Sequence, residues 1–113
     1  MVYPLAMVGL RVEINRFVEE GQPNVVQCRF RDAHGEQHFI VEKVPVISTE
    51  ELGPNDTYPR PDVIPCTVIR KKVDGGIETV EIDTMTPLGI ESIAGQSLFD
   101  VRPDQLVQIR ETK

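Results

Sequence analysis

Val25 to Val44 reads VVQCRFRDAHGEQHFIVEKV, and the fold turns on how this stretch doubles back on itself. Val26, Cys28 and Phe30 alternate with Gln27, Arg29 and Arg31, a period of two that marks a strand with one dry face and one wet face. Asp32 to Glu36 follows as a polar turn, in which Gly35 can take positive φ at little cost. The return strand, Gln37 to Val44, is apolar on both sides at Phe39, Ile40 and Val41, so the length of the turn decides the register. A three-residue loop, Ala33 to Gly35, sets Phe30 opposite His38 and Val26 opposite Glu42. A four-residue loop, Ala33 to Glu36, pairs Phe30 with Phe39, Cys28 with Val41 and Gln27 with Glu42. A slip of one residue turns every side chain over, so the expected register is the one that keeps the apolar set together, with the four-residue loop. In that register His38 points outward opposite Arg31, and Phe30 and Phe39 both belong to the core.

Upstream, Leu10, Val12 and Ile14 alternate with Arg11, Glu13 and Asn15, a first strand reaching toward Phe17, and Glu19 to Asn24 supplies the turn. Downstream, Pro45 lacks a ladder donor, so the return strand ends at an edge or leaves the sheet there. Ser48 and Glu51 have the spacing of a capping box, but Gly53 and Pro54 allow no more than one helical turn. Val63 to Lys72 is the next strand. Asp74-Gly75 is the strongest two-residue hairpin signal, and centring the turn there pairs Lys71 with Glu78, Ile69 with Val80 and Thr67 with Ile82. Beyond Asp83, Pro87, Gly89 and Gly95 cut the chain into short pieces, with Ile90 to Ile93 and Ser97 to Val101 as strand candidates. Pro103 to Leu106 reads as a 3₁₀ turn before a last strand, Val107 to Ile109. The expected fold class is all-β: a small β-barrel, SH3-like or related, of about six or seven short strands with at most single helical turns.

The composition agrees. A chain of 113 residues has room for one core, 40% hydrophobic content disfavours disorder, and nine prolines with eight glycines favour turns over long helices. The expected division is a terminal segment, residues 1–9, adding a strand or poorly ordered, and one barrel domain over 10–113. MVYPLAMVGL is apolar, but it has no cationic start and is too short to cross a membrane, so the cytoplasm is the expected compartment. The two cysteines, Cys28 and Cys66, sit in apolar strand patterns and read as buried free thiols rather than a disulfide framework.

Three phrases, VEKVPV at Val41–Val46, GIES at Gly89–Ser92 and FDVRPDQL at Phe99–Leu106, resemble those of small bacterial β-barrel proteins of unknown function. The resemblance runs over most of the chain from Leu10 onward. It implies the barrel and assigns no residue a role.

No catalytic set emerges, no cofactor is implied, and no metal site is expected. His34 and His38 are the only imidazoles, with Asp32 and Cys28 close by in sequence, but a closed zinc site needs four converging ligands. Both histidines read as solvated residues on a turn. Neither cysteine has the open, electropositive setting of a nucleophile, and no serine stands in a G-x-S-x-G elbow. The formal charge of −6 opposes a nucleic-acid backbone. Arg29, Arg31, Arg70, Lys71 and Lys72 gather locally, yet only Tyr58 and Tyr3 remain for base stacking, so nucleic acid is not the expected partner. The connection from Ser48 to Asp62, about fifteen residues, is long for a compact domain. The expected function is therefore a small acidic, non-enzymatic protein-binding module, with Glu50, Glu51, Asp56 and Tyr58 as contacts for a protein partner, a basic one being suited by the acidic surplus. Two alternatives stand beside it. One is a metal-dependent protein or enzyme using Cys28, His34, His38 and Asp32; the other is a structural subunit of a homo-oligomer.

Overall fold

Alternation in the sequence becomes alternation in space. The computed structural model describes residues 7–109. In β1 (Met7–Glu19), Leu10, Val12 and Ile14 face inward while Arg11 faces water. The chain continues through β2 (Val25–Arg31), β3 (Gln37–Lys43), the single helical turn α1 (Val44–Ile47), β4 (Arg60–Asp74), β5 (Ile77–Asp83) and β6 (Leu98–Val101). A 3₁₀ turn over Pro103–Gln105 leads into β7 (Leu106–Gln108). These seven strands form one antiparallel sheet in the order β3-β2-β1-β4-β5-β6, with β7 added on β1, curled into a half-barrel. The expected all-β class, the 3₁₀ turn and the short final strand are all present. Residues 1–6, Tyr3 among them, lie outside the described residues; Met7, Val8 and Gly9 are not a separate segment but the start of β1.

β1 is the hub. One of its edges carries β4 along Met7–Ile14; the other carries β7 at Val8–Leu10 and β2 from Glu13 to Glu19. Serving three partners requires a bent strand, and the pairing with β2 slips at Asn15 and again at Val18. Such bulges bend a strand and increase its twist, which curls the sheet. The interior fills with Leu10, Ile14, Val26, Cys28, Ile40, Ile64, Cys66, Ile82, Phe99 and Val101, joined from the connections by Ile47, Leu52 and Ile90.

The structure corrects four local readings. In the first hairpin Phe30 faces His38, Cys28 faces Ile40 and Val26 faces Glu42, so the loop has three residues and His38, 6% exposed, belongs to the core face. The turn's own chemistry outweighs apolar matching. Asp32 N–H donates to Glu36 O at 2.9 Å, Gly35 N–H to Asp32 O at 3.1 Å, and Gly35 sits at φ 81° in the left-handed position that such loops require. Phe39 is consequently only half-buried, on the opposite face from Phe30.

The second hairpin turns on Gly75-Gly76 rather than Asp74-Gly75. A two-residue turn of this hand needs positive φ at both positions, and these glycines supply 58° and 82°. The expected opposition of Lys71 to Glu78 gives way to Arg70 opposite Glu81, with Nε 2.6 Å from Oε1, and Ile69 falls in a bulge at the surface. The helical turn comes before Ser48, not after it. Pro45 stands in its first turn, where a missing N–H costs nothing, and Ser48 Oγ instead accepts the Glu50 N–H at 3.1 Å. Finally, Ile90–Ile93 forms no strand. Ile90 is buried from a loop tied down through Thr84, whose hydroxyl donates to Ile90 O at 2.7 Å.

Gly9 marks the tightest approach in the sheet. A Cβ there would collide with Val63 and come 2.9 Å from a methyl of Val107, so β4 and β7 close over β1 only because this position is bare. Gly9→Ala should cost about 1–3 kcal/mol as an overpacked site. Urea unfolding of the two proteins measures it, and an unchanged midpoint would show that β7 is loosely held.

Candidate functional site

The four residues expected to make contacts lie in one ordered connection between α1 and β4. Leu52 is its anchor, sunk into the core at 2% exposure, with Asn24 Nδ2 donating to Leu52 O at 3.0 Å. Tyr58 packs its ring against the core and donates its hydroxyl to Gly53 O at 2.8 Å. Burial, with the Asp56 carboxylate beside it, pushes that phenol up, so it keeps its proton and remains a donor. Asp56 accepts the Gly53 N–H at 2.7 Å. Asp56 and Tyr58 thus turn toward the connection itself, and Arg60 ties its far end through Glu50 at 2.8 Å.

Glu50 and Glu51 do something different. With Gly21–Asn24 from the β1–β2 turn, and with Val44, Pro45 and Ser48–Leu52, they line an open cleft of about 610 Å³. Its apolar lining is Pro23 and Pro45 at the surface with Val44 and Leu52 buried behind, and its acids are Glu50 and Glu51. Glu50 is the exposed half of its pair with the half-buried Arg60, and a pair open to solvent on one side holds its partner by only about 1 kcal/mol, so Glu50 can change partner at little cost.

At the opposite end of the β2–β3 hairpin, the histidines part company. His34 sits at the loop tip, with Nε2 3.1 Å from Asp100 Oδ2, while Lys72 Nζ reaches the other oxygen of Asp100 at 2.7 Å. Lys72 first, and His34 after it, hold the Asp100 carboxyl below the usual carboxylate range. His38 is not solvated. Its ring lies 5.2 Å from that of Phe30 and 4.7 Å from that of Phe99, and its Nε2–H donates to Asp32 Oδ2 at 2.8 Å. The other oxygen of Asp32 accepts the N–H groups of His34 and Glu36 at 2.8 and 3.0 Å. Burial alone would push the Asp32 carboxyl up, but the bonds from His38 and from the Glu36 and His34 N–H groups outweigh it and hold the carboxyl low.

Of the residues weighed for metal chemistry, the fold brings Asp32 and His38 together and adds Glu36, with one ligand atom of each inside a 4.8 Å cluster. His34 and Cys28 stay out of that cluster. Cys28 and Cys66 are buried free thiols, as expected, and burial, reinforced by Asp62 and Asp83 respectively, pushes each up to about 12. At neutral pH both remain protonated and poorly nucleophilic. The Asp32–Glu36–His38 grouping was hidden because the four-residue loop turns His38 to the face opposite Asp32 and leaves Glu36 in the loop. The signal available was Gly35 itself, at the third position of a three-residue loop after Asp32. Comparison with known proteins adds no relative, since no family model, no curated protein and no solved structure matches the chain.

The dyad has a pH signature of definite sign. A carboxyl held low in the folded state stabilises above its unfolded value of about 3.9, and that stability is lost as pH falls through the lower folded value. Asp32→Asn keeps an acceptor for the loop N–H groups and should flatten the acid limb of a stability–pH profile. Asp32→Ala strands the buried imidazole and should cost about 2–4 kcal/mol at pH 7. Urea midpoints at pH 7 and pH 3 separate the two, and an acid limb identical in Asp32→Asn would place the acid sensitivity elsewhere.

Proposed function

We propose that this protein is a non-enzymatic protein-binding module that receives a basic segment of a partner in the cleft between the Gly21–Asn24 turn and the Ser48–Leu52 stretch. One observation carries the reading: the 48–59 connection is fastened by Leu52 in the core and by the hydrogen bonds of Tyr58 and Asp56 to Gly53, yet it leaves Glu50 and Glu51 exposed on a cleft that Pro23 and Pro45 also line. A loop ordered before binding loses little entropy on docking. A lysine or arginine suits the cleft, its aliphatic stem over the exposed Pro23 and Pro45 and its charged head at the glutamates. The chain's formal charge of −6 adds long-range attraction for such a partner.

The test uses a panel of Lys- and Arg-containing peptides read by fluorescence anisotropy. Binding should weaken steeply with salt and by at least tenfold in the double variant Glu50→Lys, Glu51→Lys. Glu78→Lys, on the exposed β4–β5 hairpin and outside the cleft, should bind as the parent does. Equal binding by the charge-reversed protein would count against the cleft.

A second reading is favoured by the Asp32–Glu36–His38 cluster, whose two carboxylates and one imidazole suit a divalent cation with further sites open to water. Against it, both oxygens of Asp32 already accept hydrogen bonds. If the cluster holds metal, protein purified without a polyhistidine tag carries a stoichiometric ion that Glu36→Gln releases. Thermal stability unmoved by zinc or manganese would dispose of the idea.

A further inference from the structure

A second charged surface lies at the turn end of the β2–β3 hairpin, and its sign is opposite to that of the molecule. The last rung between β1 and β2 is Glu13 opposite Arg29; beyond it the strands part, and the 3₁₀ turn at Pro103–Gln105 enters the fork. Gln105 holds the opening, donating Nε2 to Arg31 O at 2.6 Å while its Oε1 accepts the Arg102 N–H at 2.9 Å. The result is an open groove of about 590 Å³ lined by four arginines, Arg11, Arg29, Arg31 and Arg102, with Glu13 and Asp104 as its only acids.

Two of the arginines are already neutralised: Arg29 by Glu13 at 2.6 Å, and Arg102 by Asp104 at 3.1 Å. Among the described residues the other two have no ion pair: Arg31 donates only to a backbone carbonyl, Gly35 O, at 3.0 Å, and Arg11 makes no side-chain hydrogen bond. Two uncompensated guanidinium groups on adjoining strands, in a protein that is otherwise acidic, make a local field that attracts anions. No exposed aromatic lines the groove, since Phe30 is buried, so nothing is offered to a nucleobase.

We propose that this fork binds a phosphate monoester group, with Arg11 and Arg31 as its ligands. The guanidinium fork matches phosphate oxygens pairwise, and a doubly charged group neutralises both side chains at once. Gln37, which also lines the groove, supplies a neutral donor beside them. The site is separate from the acidic cleft and does not depend on it.

The experiment is a titration of the whole protein with inorganic phosphate and with O-phosphoserine, followed by amide chemical shifts at constant ionic strength. Saturable shifts should centre on Arg11, Arg31, Gln37 and Gln105, and affinity should fall roughly tenfold in Arg11→Gln and in Arg31→Gln. Arg31→Lys, which keeps the charge but not the fork, should also lose affinity. Both arginines are exposed, and melting curves check that the variants fold. Tighter binding of phosphoserine would point to a phosphorylated molecule and equal binding to free phosphate; either supports the site. Shifts that chloride reproduces, binding unchanged in the glutamine variants, or equal affinity for succinate would overturn it.

Discussion

One hydrogen bond decides how the half-barrel closes: that from the His38 ring to Asp32. An imidazole has no business on a dry face unless its polar edge is matched, and an unmatched buried polar group costs ~1–3 kcal/mol. Asp32 meets that need at 2.8 Å, and the ring's remaining surface packs against Phe30 and Phe99. Phe99 comes from β6, at the far end of the sheet from β3, so this contact joins the two ends of the curl. The same seam carries a backbone bond from Ala33 N–H to Asp100 O at 2.8 Å and the reach of Gln105 to Arg31. Moving His38 to the outer face would take Phe99's partner away and shift the hairpin tip that Asp100 and Gln105 hold.

The carboxylate does this while also making the turn. Its Oδ1 gathers the His34 and Glu36 N–H groups, which fixes a three-residue loop, and the loop length puts residue 38 on the inner face. Turn geometry and core packing therefore share one side chain. An aspartate that served only the turn would leave the imidazole unmatched, and one that served only the imidazole would leave the loop length open.

This explains what could be read from the residues in advance. Positions 10, 12 and 14 and positions 26, 28 and 30 were legible, because burial on one face imposes a period of two without reference to any partner. The 3₁₀ turn near Pro103 was legible from local chemistry. Register was not, because it was sought by matching apolar residues, and the core accepts His38 in an apolar place once Asp32 is counted. The Gly75-Gly76 turn failed for a related reason: Asp74-Gly75 is a good turn, but a second glycine makes a better one a residue later. Ser48 to Asp62 reads as a long connection, whereas the anchoring of Leu52 by Asn24 and the core arises from contacts distant in sequence. Arg11 and Arg31, twenty positions apart, become neighbours only when β1 and β2 are laid side by side.

The β2–β3 hairpin then adjoins surfaces of opposite charge at its two ends. Asn24 and Val44, at its open end, adjoin the cleft rimmed by Glu50 and Glu51; Arg31 and Gln37, at its turn, adjoin the arginine fork. Six residue steps along β2 span ~20 Å at a strand rise of about 3.3 Å. That exceeds the ~8 Å screening length at physiological ionic strength, so neither surface neutralises the other through solvent. A cation held at one end and an anion at the other would occupy the same rigid hairpin without competing. Separation along one strand is what lets an acidic protein keep a basic groove, and the Asp32–His38 bond, next to Arg31, keeps the basic end in place.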